Sequence, residues 1–447
     1  MKAIVIGGTQ SGVGKTTVTA GIIGALRARG LRVAAFKAGP DYLDPTFHTT
    51  ASGQPCRNLD SWIMPPELIV RAFRRAAQRA DVAIVEGVMG LFDGRSGEDE
   101  SGSTAQVAKL LGLPVVLVVD ASAMARSAAA MVLGYATFDP GLRVAGVVLN
   151  RIAGERHFEA AKVAIERQSE VPVLGLMHRD DAFALPGRHL GLVSALERDA
   201  STSLASIAAA AARGIDIDAL LALAAEVPDE AGEEPVTAAA HVPIAIARDA
   251  AFSFYYEDGL DELVARGAEL LPFSPLTDAS LPAGARGVYI GGGYPEVFAA
   301  ELAANRPMHE ALRAHAAAGL PVYAECGGHM YLGQSLTALD GSRYEMAGLT
   351  SLLSTMQGTR LALGYRVATA LRDGPVAKAG DRLRGHEFHL SAAEPPSEAS
   401  ACWRFQDPGR LDGFALGSVW SSYLHLHFAA SPDAAQRFID TCKGPRE

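Results

Sequence analysis

Residues 7–17 read GGTQSGVGKTT and follow directly on the apolar run Ala-Ile-Val-Ile at 3–6. A β-branched strand that ends in glycines and passes into Gly-Lys-Thr at the head of a helical pattern builds a phosphate cradle. Backbone N–H groups of the loop and the positive end of the helix converge where anionic oxygens would lie. In that geometry Lys15 reaches the β- and γ-phosphates of a nucleotide and Thr16 holds Mg²⁺, while Gly12, Gly14 and Thr17 complete the loop. The strict pattern has glycine where Thr9 stands.

The rhythm around the loop sets the fold class. Strand-length apolar runs recur at 33–36, 82–85, 115–119 and 144–149, with helical spacing at 16–29, 66–79 and 104–111. Strands buried on both faces and alternating with helices predict an α/β, doubly wound P-loop domain with a mostly parallel sheet. Its ligands belong at the carboxyl ends of the strands. Residues 216–225 look helical, and residues 228–240, PDEAGEEPVTAAA, read as a linker. The domains expected are therefore 1–230, with the nucleotide loop, and 241–447. In the second, strand-like runs at 244–247, 270–273, 288–290 and 322–324 alternate with helical spacing at 258–266 and 297–318, another α/β pattern. Beyond about residue 348 the pattern becomes more β-like, at 361–369, 387–390 and 419–428.

A chain of 447 residues is long enough for two or three domains. Its net charge is -10, with no dense Lys/Arg block, which argues against nucleic acid as the main partner. The four cysteines, at 56, 326, 402 and 442, are too few and scattered for a disulfide framework, and no pair has metal-ligand spacing. No apolar run reaches the ~20 residues of a membrane span and no targeting segment precedes the first strand, so no membrane partner and a cytoplasmic location are expected. A homodimer is compatible with all of this.

Residues 36–45, FKAGPDYLDP, and 82–94, VAIVEGVMGLFDG, each run from a strand into an acidic, glycine-containing loop. Asp41, Asp44, Glu86 and Asp93 should thus reach the same sheet edge as Lys15. Four carboxylates beside a triphosphate call for Mg²⁺ to balance them.

Residues 9–17, 36–45, 58–64 (NLDSWIM) and 86–94 resemble the amidoligase domain of cobyrinic acid a,c-diamide synthases, relatives of dethiobiotin synthetase. The dethiobiotin synthetase relatives also carry Thr at the position of Thr9. The resemblance implies that Lys15 and Thr16 serve MgATP and that Asp41 and Glu86 bind metal and nucleotide. It places Asp44 and Asp93 near the reacting substrate carboxylate, Asn150 against adenine, and Lys37 near the phosphate or carboxylate.

A second chemical centre stands at 322–328, VYAECGG, a strand running into a glycine-flanked turn. Cys326 at such an elbow would project above the sheet, near a helix N-terminus expected to lower its pKa. The GGG run at 291–293 follows the preceding strand and can supply backbone donors for an oxyanion. Residues 422–428, SYLHLHF, offer a base; strand alternation would put His425 and His427 on one face. This half resembles class I, triad-type glutamine amidotransferase domains of the cobyric acid synthase branch. The resemblance implies Cys326 as nucleophile, His425 as base, and Gly292 and Gly327 at the oxyanion hole. The larger class I group carries Glu two residues after this histidine, where His427 stands here. Residues 384–391, RGHEFHLS, bring together His386, Glu387 and His389, but without a third well-spaced ligand a metal reading is the weaker one. The same stretch recurs in the diamide synthase family, near the interface or the substrate.

Together these readings predict a carbon–nitrogen ligase that uses ATP and Mg²⁺ to activate a carboxylate and glutamine as ammonia source. By resemblance the acceptor is a corrinoid tetrapyrrole polycarboxylate of cobalamin biosynthesis, amidated at its a and c acetates. Cobyrinate is favoured over hydrogenobyrinate and nickel-sirohydrochlorin. A partitioning-type P-loop ATPase is the rival of another class, but such proteins carry Lys where Gln10 stands and lack the amidotransferase half.

Overall fold

The computed structural model describes residues 1–179, 183, 187–188, 191–192, 200–228, 241–406 and 409–444. The chain divides into two compact units, Met1–Glu234 and Pro235–Glu447. Apart from Pro228, the linker expected at 228–240 lies outside the described residues.

The first unit alternates β1 (Lys2–Gly8), α1 (Lys15–Ala28), β2 (Val33–Ala38), α2 (Asp44–Ser52), β3 (Arg57–Leu59), α3 (Pro66–Ala77), β4 (Val82–Glu86), α4 (Thr104–Leu111), β5 (Val115–Asp120), α5 (Ser127–Phe138), β6 (Val144–Ile152), α6 (Glu155–Ser169) and β7 (Val173–His178), then α7 (Ser201–Gly214) and α8 (Ile217–Leu223). Its parallel strands lie in the order β3-β2-β4-β1-β5-β6-β7. The short strand Ala225–Glu226 returns antiparallel beside Lys2 and Ala3. On one face Ile4, Ile6, Ile84, Val116, Val118 and Val148 meet Val18 and Ile22 of α1 and Ile207 and Ala211 of α7 in one buried cluster. On the other face Phe36 packs on Phe73 of α3, ring centroids 5.0 Å apart. Valine and isoleucine dominate the central strands because both faces are covered.

Close approach of α7 to α1 depends on glycine. A Cβ on Gly24 would stand 2.5 Å from the Ala208 Cβ, and one on Gly21 2.8 Å from that of Ala211.

The second unit is built on a six-stranded sheet in the order Ala268–Phe273, Val242–Ala247, Gly287–Ile290, Val322–Glu325, Val419–Ser422 and Phe414–Leu416. All neighbours are parallel except the last pair. A separate antiparallel sheet joins Leu411–Asp412, Trp403–Phe405, Ala362–Ala370, Arg382–His389 and His425–Leu426. The helical pattern expected over 297–318 is two helices, Ala299–Ala304 and Arg306–Ala317. They break at Asn305, whose side chain accepts the Met308 N–H, and Pro307 stands in the first turn of the second helix. The β run expected over 419–428 is likewise divided. Val419–Ser422 belongs to the parallel sheet and His425–Leu426 to the antiparallel one. The chain changes sheets at residues 423–424, so simple alternation does not extend through His427.

Candidate active sites

Every catalytic candidate of the first unit leaves the carboxyl edge of its sheet. Gly12 and Gly14 hold the left-handed φ values of 78° and 92° that let the loop fold back over the start of α1. Lys15, 7% exposed, sends its ammonium inward to the carbonyls of Gln10 at 3.1 Å and Met89 at 2.5 Å. Burial, and then the neighbouring Lys37 charge, lower its pKa to about 8. Gly12, Gly14, Thr16, Thr17, Lys37, Asp41, Asp44, Glu86 and Asn150 line the same cavity, of about 930 Å³.

A charge cluster forms the floor of that cavity. The Lys37 ammonium lies 2.5 Å from Asp44 Oδ2, 3.1 Å from Glu86 Oε1 and 3.9 Å from Asp41 Oδ2. Burial works to lower the Lys37 pKa, but Asp44, Glu86 and Asp41 together overcome it and raise it. Burial works against the Glu86 carboxylate as well, yet Lys37 and His48 hold it down at about 2. Burial and then the adjacent Asp41 push the Asp44 carboxyl up. Three carboxylates share one lysine here, and the Thr16 hydroxyl donates to Glu86 Oε1 at 3.0 Å. These hard oxygen donors suit Mg²⁺, which takes one or two protein carboxylates and completes its shell with water and phosphate oxygens. Among the described residues no group of three or more His, Cys, Asp or Glu is placed to hold a metal ion alone.

Two predicted residues occupy less direct positions. Asp93 Oδ2 accepts the Gly90 N–H at 3.0 Å and shapes the turn after β4, and Asp93 does not line the cavity. Asn150 lines it, but its amide also donates to the Val13 carbonyl at 2.7 Å.

In the second unit, Cys326 ends the strand Val322–Glu325 and opens the short helix Gly327–Leu332. Its φ of 48° is a strained value for a residue with a side chain, the geometry of a nucleophile elbow. The Gly328 N–H bonds the Gly291 carbonyl at 3.1 Å, and a Cβ on Gly327 would stand 2.9 Å from the Gly293 nitrogen. A Cβ on Gly292 would stand 2.6 Å from His425 Cε1. The Cys326 turn and His425 therefore each meet the glycine run at 291–293, with glycine required where the backbones approach, and the Cys326 thiol donates to the Phe388 carbonyl at 3.5 Å. The expected lowering of the cysteine pKa is corrected. Burial, and then the Glu296 charge, push the Cys326 thiol up, and the Gly327 N–H only partly opposes them. The thiol is 3% exposed, and desolvation outweighs the end of a six-residue helix.

A family model described as the CobQ/CobB/MinD/ParA nucleotide binding domain matches residues 4–193. One described as a CobB/CobQ-like glutamine amidotransferase domain matches residues 243–433. The chain is 45% identical to cobyrinate a,c-diamide synthase of Dehalococcoides mccartyi strain CBDB1, covering 98% of each. The chain belongs to the cobyrinate a,c-diamide synthase family. It is also 43% identical to hydrogenobyrinate a,c-diamide synthase of Streptomyces coelicolor, over 98% of this chain and 97% of the relative. The cobyrinate a,c-diamide synthase of Salmonella typhimurium matches at 43%, again over 98% and 97%.

For this family member the structure adds residues that sequence reasoning passed over. His48, fully buried in α2, hydrogen-bonds through Nε2 to Glu86 Oε2. Arg151 has a positive φ of 60°, pairs with Asp120 at 2.5 Å and donates to the Gly12 carbonyl at 2.8 Å. The position of Asp120 at the end of the VVLVVD strand was the available signal; His48 gave none. The metal reading of His386, Glu387 and His389 gains no support. Glu387 accepts from Arg366 at 2.6 Å and Arg410 at 2.5 Å, and His389 Nδ1 bonds the Ser391 carbonyl at 2.9 Å. His427 stacks on Tyr256, centroids 4.6 Å apart, and burial lowers its pKa to about 4. As a neutral core residue it cannot serve as the orienting acid. Among the described residues no helix is long and apolar enough to cross a membrane.

Proposed function

We propose that this chain is an ATP- and glutamine-dependent ligase that amidates the a and c acetate carboxylates of a corrinoid, cobyrinate or hydrogenobyrinate, in cobalamin biosynthesis. The observation that carries this is near-full-length identity to a,c-diamide synthases, combined with two chemical centres that divide the reaction between them.

In the second unit Cys326 attacks the glutamine carboxamide as His425 takes the thiol proton. The raised thiol pKa makes this base necessary, since little thiolate stands ready before substrate arrives. Backbone N–H groups at Gly292 and Gly327 stabilise the tetrahedral oxyanion, and His425 returns the proton to the departing ammonia. Hydrolysis of the thioester then releases glutamate.

In the first unit the loop at Gly12, Gly14 and Thr17 and the Lys15 ammonium hold the phosphates of ATP, with Asn150 on the adenine side. Lys37 and Asp44 set the substrate carboxylate against the γ-phosphate, with Asp93 shaping the turn after β4, and the resulting acyl phosphate accepts ammonia to give the amide, ADP and phosphate. Thr16, Asp41 and Glu86 would hold Mg²⁺, which when bound neutralises developing phosphate charge. A cytoplasmic location goes with this reading, in keeping with four cysteines that are all free and buried.

The test is incubation with MgATP, glutamine and each candidate tetrapyrrole in turn, following amide formation by mass. Two amides on cobyrinate or hydrogenobyrinate are expected, and amidation of nickel-sirohydrochlorin alone would overturn the substrate assignment.

A further inference from the structure

Glu325 is the residue immediately before the nucleophile and the last of the strand Val322–Glu325. Only 1% exposed, its carboxylate is enclosed by polar partners. The Tyr323 hydroxyl donates to Oε1 at 2.6 Å, the Leu426 N–H to Oε1 at 3.0 Å, and the Tyr289 hydroxyl to Oε2 at 3.2 Å. His425 Nδ1 lies 3.5 Å from Oε2. Burial, and then Glu325 itself, raise both tyrosine pKa values well above the ordinary phenol range, so both phenols stay neutral donors.

A buried carboxylate is costly unless its partners compensate, and an amide would serve a purely structural network at less cost. The charge faces the base. His386 of the adjoining strand also faces His425, ring centroids 6.3 Å apart, and burial and then His425 lower its pKa to about 3. His427, where the larger class I group carries its acid, is stacked away on Tyr256.

We infer that Glu325 is the positioning residue for His425, supplying from the nucleophile's own strand the carboxylate that the larger group places two residues after the histidine. Its Oε2, 3.5 Å from Nδ1 at rest, accepts the Nδ1–H of His425 during turnover, which leaves Nε2 for the Cys326 thiol. It also stabilises the imidazolium formed when the thiol proton moves to Nε2 and the sulfur–carbon bond to glutamine forms. Glu325 touches neither glutamine nor the transferred nitrogen. The inference rests on the assignment of Cys326 and His425 made above. Its sequence signal is one acid directly before the nucleophile, a place that no spacing rule for a triad would search.

The test uses the full chain and steady-state glutamate release. Glu325→Gln keeps the side chain's size and hydrogen-bonding atoms but removes the charge. Its kcat for glutamine should fall about 100-fold or more, with KM changed by less than about threefold. Glu325→Asp, which keeps the charge but shortens its reach, should fall between. In a His425→Asn background, adding Glu325→Gln should cost nothing further, because residues that act as a unit are not additive. Amidation supported by free ammonia, the chemistry of the other unit, reports that the variants are folded. A Glu325→Gln kcat within about threefold of the parent, or a loss confined to KM, would overturn the inference. If Glu325→Gln also loses ammonia-supported amidation, Glu325→Asp decides: partial kcat supports the inference, and kcat equal to the parent's removes it. A Cys326→Ala chain that still consumed glutamine would instead overturn the reading on which this one rests.

Discussion

Asn150 donates its side-chain N–H to the Val13 carbonyl at 2.7 Å, tying β6 to the phosphate loop. The same Nδ2 lies 2.1 Å from where a Cβ on Gly14 would stand, and Gly14 holds a φ of 92°. Glycine is therefore required there twice, by backbone conformation and by contact. Gly14→Ala should strain the loop by about 1–3 kcal/mol, lowering thermal stability and weakening nucleotide binding by roughly 5- to 150-fold in Kd. Calorimetric titration with ATP checks this, and unchanged affinity would refute the loop geometry.

Lys15→Ala removes the ammonium that lies inside the loop. Amidation should fall by at least about 10³-fold whether glutamine or ammonia supplies nitrogen, while glutaminase turnover by Cys326 survives. Persistent synthesis with ammonia would contradict the assignment.

His48 holds Glu86 from the side opposite Lys37 and Thr16. Its effect should appear as metal dependence. In His48→Phe the Mg²⁺ concentration for half-maximal amidation should rise about 10-fold or more, the usual cost of losing a group that orients a ligand. His48→Gln, which keeps a donor, should recover part of it. An unaltered Mg²⁺ curve would show that His48 merely fills space.

The second unit should lose stability as pH falls from about 6.5. Burial, its largest cause in each case, lowers the pKa of His309 and His427 to about 4 and of His329 and His386 to about 3. Below the ordinary histidine value of 6.5 the unfolded chain takes up protons that the folded chain refuses. Each histidine's contribution is thus full above 6.5 and is lost towards its folded pKa, by about 1.4 kcal/mol per pH unit. Asp412 acts in the opposite sense: burial and then Glu387 raise it to about 6, so its contribution grows as pH falls below that value. One such group against four leaves the histidines dominant. Urea midpoints followed through the buried Trp403–Trp420 pair should drop between pH 7 and 5, and His427→Gln should flatten the slope. A midpoint independent of pH over that range would contradict the burial of these rings.

Strongly periodic elements were legible in the sequence. The apolar runs at 3–6, 33–36, 82–85, 115–119 and 144–149 lie within β1, β2, β4, β5 and β6, and the helix expected at 104–111 is α4. Helix α7 is hard to read from sequence because only Leu204, Ile207 and Ala211 are buried in it, and the alanines on its other positions leave a weak amphipathic signal. At the sites, residues at or just beyond strand ends, such as Lys15, Lys37, Glu86 and Cys326, could be placed because strand ends share one edge. His48 and Glu325 could not, since their contacts cross between elements and leave no fixed spacing. The direction of the Cys326 pKa is not legible for a similar reason. A turn before a helix is visible in sequence, whereas the depth at which it is buried is not.

The central claim is that one chain divides the reaction between a glutamine-hydrolysing cysteine and an ATP-dependent carboxylate activator. It is tested most directly by the Cys326→Ala chain, given MgATP and cobyrinate with either glutamine or an ammonium salt, with corrinoid amides counted by mass. The two-site scheme predicts no amide from glutamine and near-parental a,c-diamide from ammonia. Loss of both activities in a folded chain, or synthesis from glutamine without the thiol, would contradict it.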